Sequence, residues 1–161
     1  MRIAVISDTH SRLATIAAVM AKIRARGVEC ILHCGDIEDT EAIPLFAGTP
    51  IHFVLGNCDG DANGIKDAIA EGGAFFHEYF GNLELGGRKI AWLHGHDRRL
   101  LRDVENSGHY DFLFYGHSHQ AEQHRTGSTL VVNPDALHRA RPKSFVYLDL
   151  ATGALESVRL E

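Results

Sequence analysis

Five short segments of this 161-residue sequence end an apolar run with side chains that can bind a divalent cation. They are Asp8-Thr9-His10, Gly35-Asp36, Gly56-Asn57, His94-Gly95-His96 and Gly116-His117-Ser118-His119. This mixture of Asp, His and Asn suits manganese, iron, nickel, zinc or cobalt better than calcium, and the lack of thiolate ligands argues against a structural zinc site. The segments therefore predict a functional metal site.

The elements that precede these segments explain how distant residues can meet. Apolar β-branched runs alternate with helical patterns through the first third of the sequence, which indicates parallel strands joined by right-handed crossovers. Ligands of such sheets lie beyond the carboxyl ends of the strands. The elements predicted there are strands at 3–7, 30–34 and 51–55 and helices at 15–26 and 38–46.

The second half of the sequence predicts mostly antiparallel pairing. Short strand-like runs are separated by turn residues such as Gly86-Gly87, which is the pattern of β-hairpins. No internal repeat or linker marks a boundary, so we expect a single domain over residues 1–161. The predicted elements are strands at 83–85, 89–93, 112–115, 120–125, 129–132, 145–150 and 155–160 and a helix at 98–105.

Composition excludes several classes of function. The formal net charge of -5 argues against a nucleic-acid or anionic-membrane binder that relies on a broad basic face. No apolar run approaches the roughly 18 residues of a membrane span. The odd count of 3 cysteines, without a CxxC motif, fits a reducing compartment, so we expect a cytoplasmic protein. The 11 histidines are a large share of the residue that best serves as metal ligand and neutral-pH acid or base.

Taken together, the five segments resemble in order and wording the calcineurin-like metallophosphoesterases, and most closely their short, single-domain phosphodiesterase branch in bacteria and archaea. The resemblance extends from the first strand to the final hairpin. It implies an α/β fold, a four-layer αββα sandwich of two mixed β-sheets, with a binuclear metal centre at one edge. Manganese is the expected metal of both sites, with nickel, zinc, iron, cobalt and magnesium as alternatives.

The resemblance also implies roles for individual residues. Position by position, the ligands of one metal would be Asp8, His10, Asp36 and His119, and those of the other Asp36, Asn57, His94 and His117. Asp36 would bridge the metals, and a hydroxide between them would attack the phosphorus of a small phosphodiester. Asp36 and His96 are the predicted catalytic residues, and Asn57, Cys58 and His96 are the predicted substrate-binding residues.

Two departures from the family pattern bear on the substrate. Many relatives carry His directly after the Asn ligand, where it protonates the departing alkoxide, whereas this chain has Cys58. Losing a general acid costs about 10²–10⁴-fold for leaving groups that need a proton, so aryl or otherwise activated diesters are expected to react best. His96 is the best alternative acid. Where relatives usually have Asn-Pro-Gly-Ser, Asp135 is expected to add negative charge at the rim of the site.

Other functions stay open on the sequence alone. The same fold serves a eukaryotic sorting-complex subunit that has lost parts of the metal set, so a catalytically weak binding scaffold is one alternative, and a phosphomonoesterase or a nuclease is another. The complete ligand set favours the enzyme, and the absence of an aromatic-basic stripe argues against a nuclease. Arg98-Arg99 is interpreted as solvated charge that could also reach the distal group of a diester. The resemblance further implies a homodimer or homotetramer.

Overall fold

The computed structural model of the protein describes residues 1–160, so the last residue of the predicted domain, Glu161, lies outside the described residues. No helix within this range is both long and apolar enough to cross a membrane. In chain order the elements are β1 (Arg2–Ile6), α1 (Leu13–Ala25), β2 (Cys30–His33), a 3₁₀ helix (Thr40–Phe46), β3 (Ile51–Phe53), α2 (Ala62–Glu71), β4 (Phe75–Phe76), β5 (Phe80–Leu85), β6 (Arg88–Leu93), α3 (Arg98–Glu105), β7 (Phe112–Tyr115), β8 (Glu122–Thr126), β9 (Thr129–Asn133), β10 (Lys143–Asp149) and β11 (Ala154–Leu160).

The strands form two mixed sheets. The first has the order β11-β10-β1-β2-β3-β4, in which β1 to β4 are parallel, β10 pairs antiparallel with β1, and β11 pairs antiparallel with β10. The second has the order β5-β6-β7-β9-β8, in which β6, β7 and β9 are parallel and β5 and β8 flank them antiparallel. The prediction of antiparallel pairing is confirmed for the hairpins but is wrong for the centre of the second sheet, because β9 lies directly beside β7.

Alternation along β1 shows how the layers are built. Ile3 and Val5 point into the space between the sheets, where they belong to the same core as Trp92 of β6. Ala4 and Ile6 point to the opposite face, into the core beneath α1 and α2. Helix α3 packs on the outer face of the second sheet. The layers are therefore helix, sheet, sheet and helix, which confirms the predicted αββα sandwich.

Helix α2 and strand β4 are absent from the sequence prediction. Asp61 caps α2 by accepting a hydrogen bond from the Gly64 N–H at 3.0 Å, and Ile65 and Ile69 bury one face of the helix. Two buried residues and an early glycine make a weak periodic signal, and β4 has too few residues to show alternation. The segment predicted as a helix at 38–46 is a 3₁₀ helix that contains Pro44, which lacks a backbone donor.

Candidate metal centre

The strand ends of both sheets bring the predicted ligands to one edge of the sandwich. His94, which follows β6 of the second sheet, donates from Nδ1 to the carbonyl of Cys34 at the end of β2 in the first sheet, at 2.8 Å. His119, which follows β7, places Nε2 3.0 Å from Oδ1 of Asp8, which follows β1. The site therefore lies across the junction of the two sheets, and its geometry depends on how they pack.

Asp36 lies between two imidazole rings from different sheets. Its Oδ2 is 3.4 Å from Nε2 of His10 and 3.3 Å from Nε2 of His94, while Oδ1 accepts a hydrogen bond from the Cys58 N–H at 2.9 Å. Burial raises the pKa of this carboxyl, but His94 and the Cys58 N–H more than offset the effect and hold it well below its usual range. Asp36 is thus an ionised carboxylate with an oxygen directed at both rings, as a bridging ligand requires.

Two buried ring nitrogens show that the cluster fits divalent cations. Within residues 1–160, Nε2 of His10 and Nε2 of His94 lack a hydrogen-bond partner, although buried polar atoms are rarely unpaired. Three overlapping groups of side chains each place their ligand atoms within 4.8 Å of one another. The groups are Asp8, His10 and His119; Asp8, Asp36 and His94; and His10, Asp36 and Cys58. Imidazole nitrogens beside carboxylates form a donor set that borderline divalent metals prefer.

Charges within the cluster favour cation binding. Burial lowers the pKa of His94, but Asp36 and Asp8 more than offset this and raise it above the usual histidine value. A cation that binds Nε2 must displace any proton held there. The ring of His117 lies 5.1 Å from that of His94 between centroids, and burial lowers the pKa of His117. The neutral form of His117, which can act as a ligand, is therefore favoured.

The backbone at the predicted ligands adopts an uncommon conformation. Five of these residues have φ between +42° and +69°, in the left-handed region that side chains other than glycine rarely adopt. They are Asp8, His10, Asp36, His117 and His119. Hydrogen bonds between the loops hold this geometry, because the N–H of Asp8 donates to the Gly35 carbonyl at 3.1 Å and that of His10 donates to the Asp36 carbonyl at 3.0 Å. Backbone strain of this kind concentrates at functional sites.

Two glycines are required by close approach. A Cβ at Gly56 would collide with Oδ1 of Asp36, and a Cβ at Gly116 would collide with Oγ of Ser7. Each glycine therefore leaves room for a neighbouring side chain at the strand ends.

Asp59 and His33 join the loops that carry the ligands, and sequence reasoning missed both. Oδ2 of Asp59 accepts hydrogen bonds from the N–H groups of Asp36 at 3.0 Å and Gly56 at 2.7 Å, and Oδ1 accepts one from Glu38 at 2.7 Å. The available signals were an aspartate directly after Asn57-Cys58 and a histidine inside an apolar strand. Asp59 thereby ties the loops after β2 and β3 together.

His33 connects the loops after β1 and β2. Its Nδ1 accepts the N–H of Gly35 at 3.1 Å, and its Nε2 lies 3.0 Å from Oγ1 of Thr9. Because Nδ1 is an acceptor, the neutral ring carries its proton on Nε2 and donates to the threonine. Complete burial lowers the pKa of His33 to about 3. The ring is therefore neutral across the physiological pH range.

The predicted substrate-binding residues lie at the exposed rim. Nδ2 of Asn57 donates weakly to Sγ of Cys58 at 3.6 Å. Desolvation of the thiol by its surroundings and the nearby Asp36 carboxylate raise the pKa of Cys58 to about 11. His96 is exposed, with its ring 5.5 Å from that of His94, and it lines a cavity of about 190 Å³ together with Tyr79.

Asp135 is buried instead of adding charge at the rim, so that expectation is wrong. Its Oδ1 accepts the N–H of Ala136 at 2.9 Å, and its Oδ2 accepts the hydroxyl of Ser144 at 3.1 Å. The preceding Asn133 donates from its amide to the carbonyl of Gly116 and the hydroxyl of Ser118, each at 3.0 Å. This segment therefore supports the turn that carries His117 and His119.

A group of side chains that no motif predicted surrounds the outer edge of His10. Oε2 of Glu38 lies 3.1 Å from its Nδ1, which fixes the ring so that Nε2 faces Asp36. The ring of His138 lies 5.1 Å from that of His10 between centroids. Nη2 of Arg12 lies 3.4 Å from Nε2 of His138. These contacts join segments far apart in the chain, so local sequence patterns do not reveal them.

An αββα sandwich whose strand ends gather carboxylates and imidazoles defines a class of metal-dependent hydrolases. A family model described as the calcineurin-like phosphoesterase superfamily domain matches residues 1–153, and the chain belongs to this superfamily. The chain is 29% identical over 137 residues to a phosphodiesterase of Methanocaldococcus jannaschii, covering 83% of this chain and 82% of that protein. It is 29% identical over 163 residues to the probable metallophosphoesterase YsnB of Bacillus subtilis, covering 96% of this chain and 87% of that protein.

A solved structure gives the same result. The structure of an archaeal phosphodiesterase superposes with a TM-score of 0.92 at 26% identity and covers 99% of this chain and 100% of that chain. The predicted family and fold are confirmed, and the protein is a metal-dependent phosphoesterase of this superfamily.

Proposed function

We propose that the protein is a binuclear metal-dependent phosphodiesterase. The observation that carries the proposal is the position of Asp36, whose Oδ2 lies 3.4 Å and 3.3 Å from the buried, unpaired Nε2 atoms of His10 and His94. One carboxylate oxygen between two imidazoles suits a bridge between two cations. The ligands of one ion are Asp8, His10, Asp36 and His119, and those of the other are Asp36, Asn57, His94 and His117.

The residues of the chain fix the geometry in which the reaction takes place. When bound, two divalent cations supply Lewis-acid activation of water and stabilise the charge that develops during displacement at phosphorus. His94 is held by its Nδ1 hydrogen bond to Cys34, and His10 by its contact with Glu38, so both rings present Nε2 to the site. The carboxylate of Asp36 is ionised, because its pKa lies well below the usual range. Manganese is the metal that we propose.

The rim of the site supports a diester as the substrate. Relatives at 29% and 26% identity are named phosphodiesterases. The thiol of Cys58 is a poorer general acid than an imidazole, so departure of an aryl or otherwise stable anion is favoured over that of an alkoxide. We propose that Asn57, Cys58 and His96 contact the phosphoryl group and that His96 supplies the proton when the leaving group needs one.

The test is a metal add-back assay after chelator treatment. Turnover of bis(p-nitrophenyl) phosphate and p-nitrophenyl phosphate is compared with Mn, Ni, Co, Zn and Mg, and bound metal is counted by elemental analysis. We expect metal-restored turnover that favours the diester, with two ions for each chain. Asp36→Asn should abolish turnover and reduce the metal count, whereas Asp103→Asn on the exposed face of α3 is the matched control.

Separate outcomes reject separate parts of this proposal. A preference for the monoester would reject the diesterase assignment alone, and a single bound ion with full activity would reject the binuclear centre. If no metal restores turnover of either ester, the catalytic assignment fails and a binding scaffold of the same fold replaces it.

We further propose that the protein works in the cytoplasm on a small phosphodiester, as a homodimer or homotetramer. The odd number of cysteines, with Cys30, Cys34 and Cys58 unpaired in the described residues, supports a reducing compartment. Light scattering of the purified protein measures the oligomeric state, and a monomeric mass at micromolar concentration would contradict this part of the proposal.

A further inference from the structure

A second cavity, of about 360 Å³, opens beside the metal centre. Its lining includes His117 and Ser118 from the loop of the predicted ligands, Arg98 and Arg102 from α3, and Tyr115 at the end of β7. We call it the arginine cavity. Since His117 belongs to both, a molecule bound at the metal centre can extend into this cavity.

The two guanidinium groups of the arginine cavity are unpaired. Arg98 and Arg102 are four residues apart on α3 and therefore lie on the same face of the helix. In the part of the chain that the structure describes, neither forms a salt bridge with a carboxylate. The neighbouring Arg99 instead places Nε 3.9 Å from Oδ2 of Asp103 on a different face. The cavity thus places two guanidinium groups without a salt-bridge partner close together on a protein with a net charge of -5.

The acidic residues near the cavity already have partners. Glu122, which lines the cavity, accepts a hydrogen bond from the hydroxyl of Tyr115, and its Oε1 lies 3.0 Å from Nδ1 of His124. Glu105 contacts Nε2 of His124 at 2.7 Å and accepts a hydrogen bond from Thr126. The carboxylates of Glu122 and Glu105 therefore interact with Tyr115 and with side chains of β8 and form no salt bridge with Arg98 or Arg102. The two guanidinium groups are thus available to bind an anion.

We propose that the arginine cavity binds a second phosphate group of the substrate, so that the preferred diester carries a further, terminal phosphate on the part that extends away from the reacting phosphorus. This inference rests on the proposed diesterase function. Guanidinium groups bind phosphate oxygens through paired hydrogen bonds, which a flexible ammonium group does not reproduce. A cavity of about 360 Å³ also has room for a sugar and a phosphate together.

Two substrates that differ only in the distal phosphate test the proposal. They are the 5′-(p-nitrophenyl phosphate) of thymidine and the same compound with a 3′-phosphate. Exposed charge pairs contribute modestly, so two arginines together should raise kcat/KM for the 3′-phosphorylated substrate about tenfold, which corresponds to about 1.4 kcal/mol. The gain should appear in KM, because the distal contact is the same in the ground state and the transition state.

Variants of α3 test whether the substrate preference comes from the arginine cavity or from the overall positive charge of the helix. Arg98→Gln combined with Arg102→Gln should reduce the substrate preference from about tenfold to about onefold, and Arg102→Lys should retain part of it. Arg99→Gln removes the same charge from the same helix but lies outside the cavity, so it should keep the full preference. Circular dichroism confirms that each variant is folded.

A binding measurement without turnover distinguishes failure of this inference from failure of the proposed function. Calorimetry of the chelator-treated protein compares thymidine 3′,5′-bisphosphate with thymidine 5′-phosphate. We expect tighter binding of the bisphosphate, lost when both Arg98 and Arg102 are replaced by Gln. Equal binding of the two nucleotides, or a bisphosphate preference that survives in the double variant, overturns the inference even if the enzyme is an active diesterase.

Discussion

The substitution His33→Asn should change how the stability of the protein depends on pH. His33 is completely buried, and its ring lies 5.6 Å from that of Phe46 and 5.3 Å from that of Phe53 between centroids. Asparagine retains an acceptor for the Gly35 N–H but has no titratable group. Near pH 8 we expect the variant to be less stable by about 2–3 kcal/mol, because it loses ring contacts and the hydrogen bond to Thr9.

The pH dependence follows from the pKa of about 3 that burial imposes on His33, against 6.5 in the unfolded chain. Between these values the unfolded chain binds a proton that the folded protein does not. Stability of the native protein therefore falls as the pH drops below about 6.5, by about 1.4 kcal/mol for each pH unit. Between pH 6.5 and about pH 5 the loss amounts to about 2 kcal/mol. The variant lacks this contribution, so its stability deficit should narrow by the same amount.

Urea unfolding of the chelator-treated proteins measures this difference. Fluorescence of the buried Trp92 reports unfolding, and the free energy is extrapolated to zero urea at several pH values between about 5 and 8. The control is His109→Asn, at an exposed position before β7. If the native protein and His33→Asn lose stability in parallel over this range, the assignment of His33 as a neutral buried connector is refuted.

Three further predictions concern the rim and the supporting loops. Cys58→His should raise kcat/KM for alkyl diesters about tenfold or more relative to aryl diesters, because imidazole can protonate a poor leaving group; an unchanged ratio would contradict the role given to this position. Asp59→Asn should lower the free energy of unfolding by about 1–3 kcal/mol and weaken metal affinity about tenfold, as measured by urea unfolding and calorimetry, and wild-type values in both would exclude Asp59 as a support. Gly116→Ala forces a Cβ against Ser7 and should lower the melting temperature, whereas Gly60→Ala, with open space around its Cβ, should not; equal shifts would refute the steric argument.

Local sequence patterns predict the layers better than the order of strands within them. Helix α1 follows from the helical spacing of its buried residues, whereas β1 and β2 follow from short, continuously apolar runs that are buried on both faces. The parallel neighbours of β7 do not follow from such patterns, since strand order depends on contacts between segments distant in the chain. Helix α2 escapes prediction because Ile65 and Ile69 alone form its buried face.

The clustering of the predicted ligands was easier to predict than the residues that support them. Each predicted ligand follows, within a few residues, a strand that sequence can identify, and the fold brings strand ends together. Asp59, Glu38 and His138 act through loops whose conformations depend on tertiary hydrogen bonds. The expectation for Asp135 failed for the same reason, because the hydroxyl of Ser144 on β10 accommodates its carboxylate inside the protein.

The left-handed backbone at five predicted ligands lowers the stability of the fold at the residues that the predicted metal site requires. Conformations of this kind lower the free energy of unfolding by about 1–3 kcal/mol each in residues other than glycine. The unpaired ring nitrogens of His10 and His94 lower it further. Glycine at Asp36 or His117 would relieve the strain. Replacing either residue with glycine would therefore stabilise the backbone while removing a donor side chain from the predicted metal site.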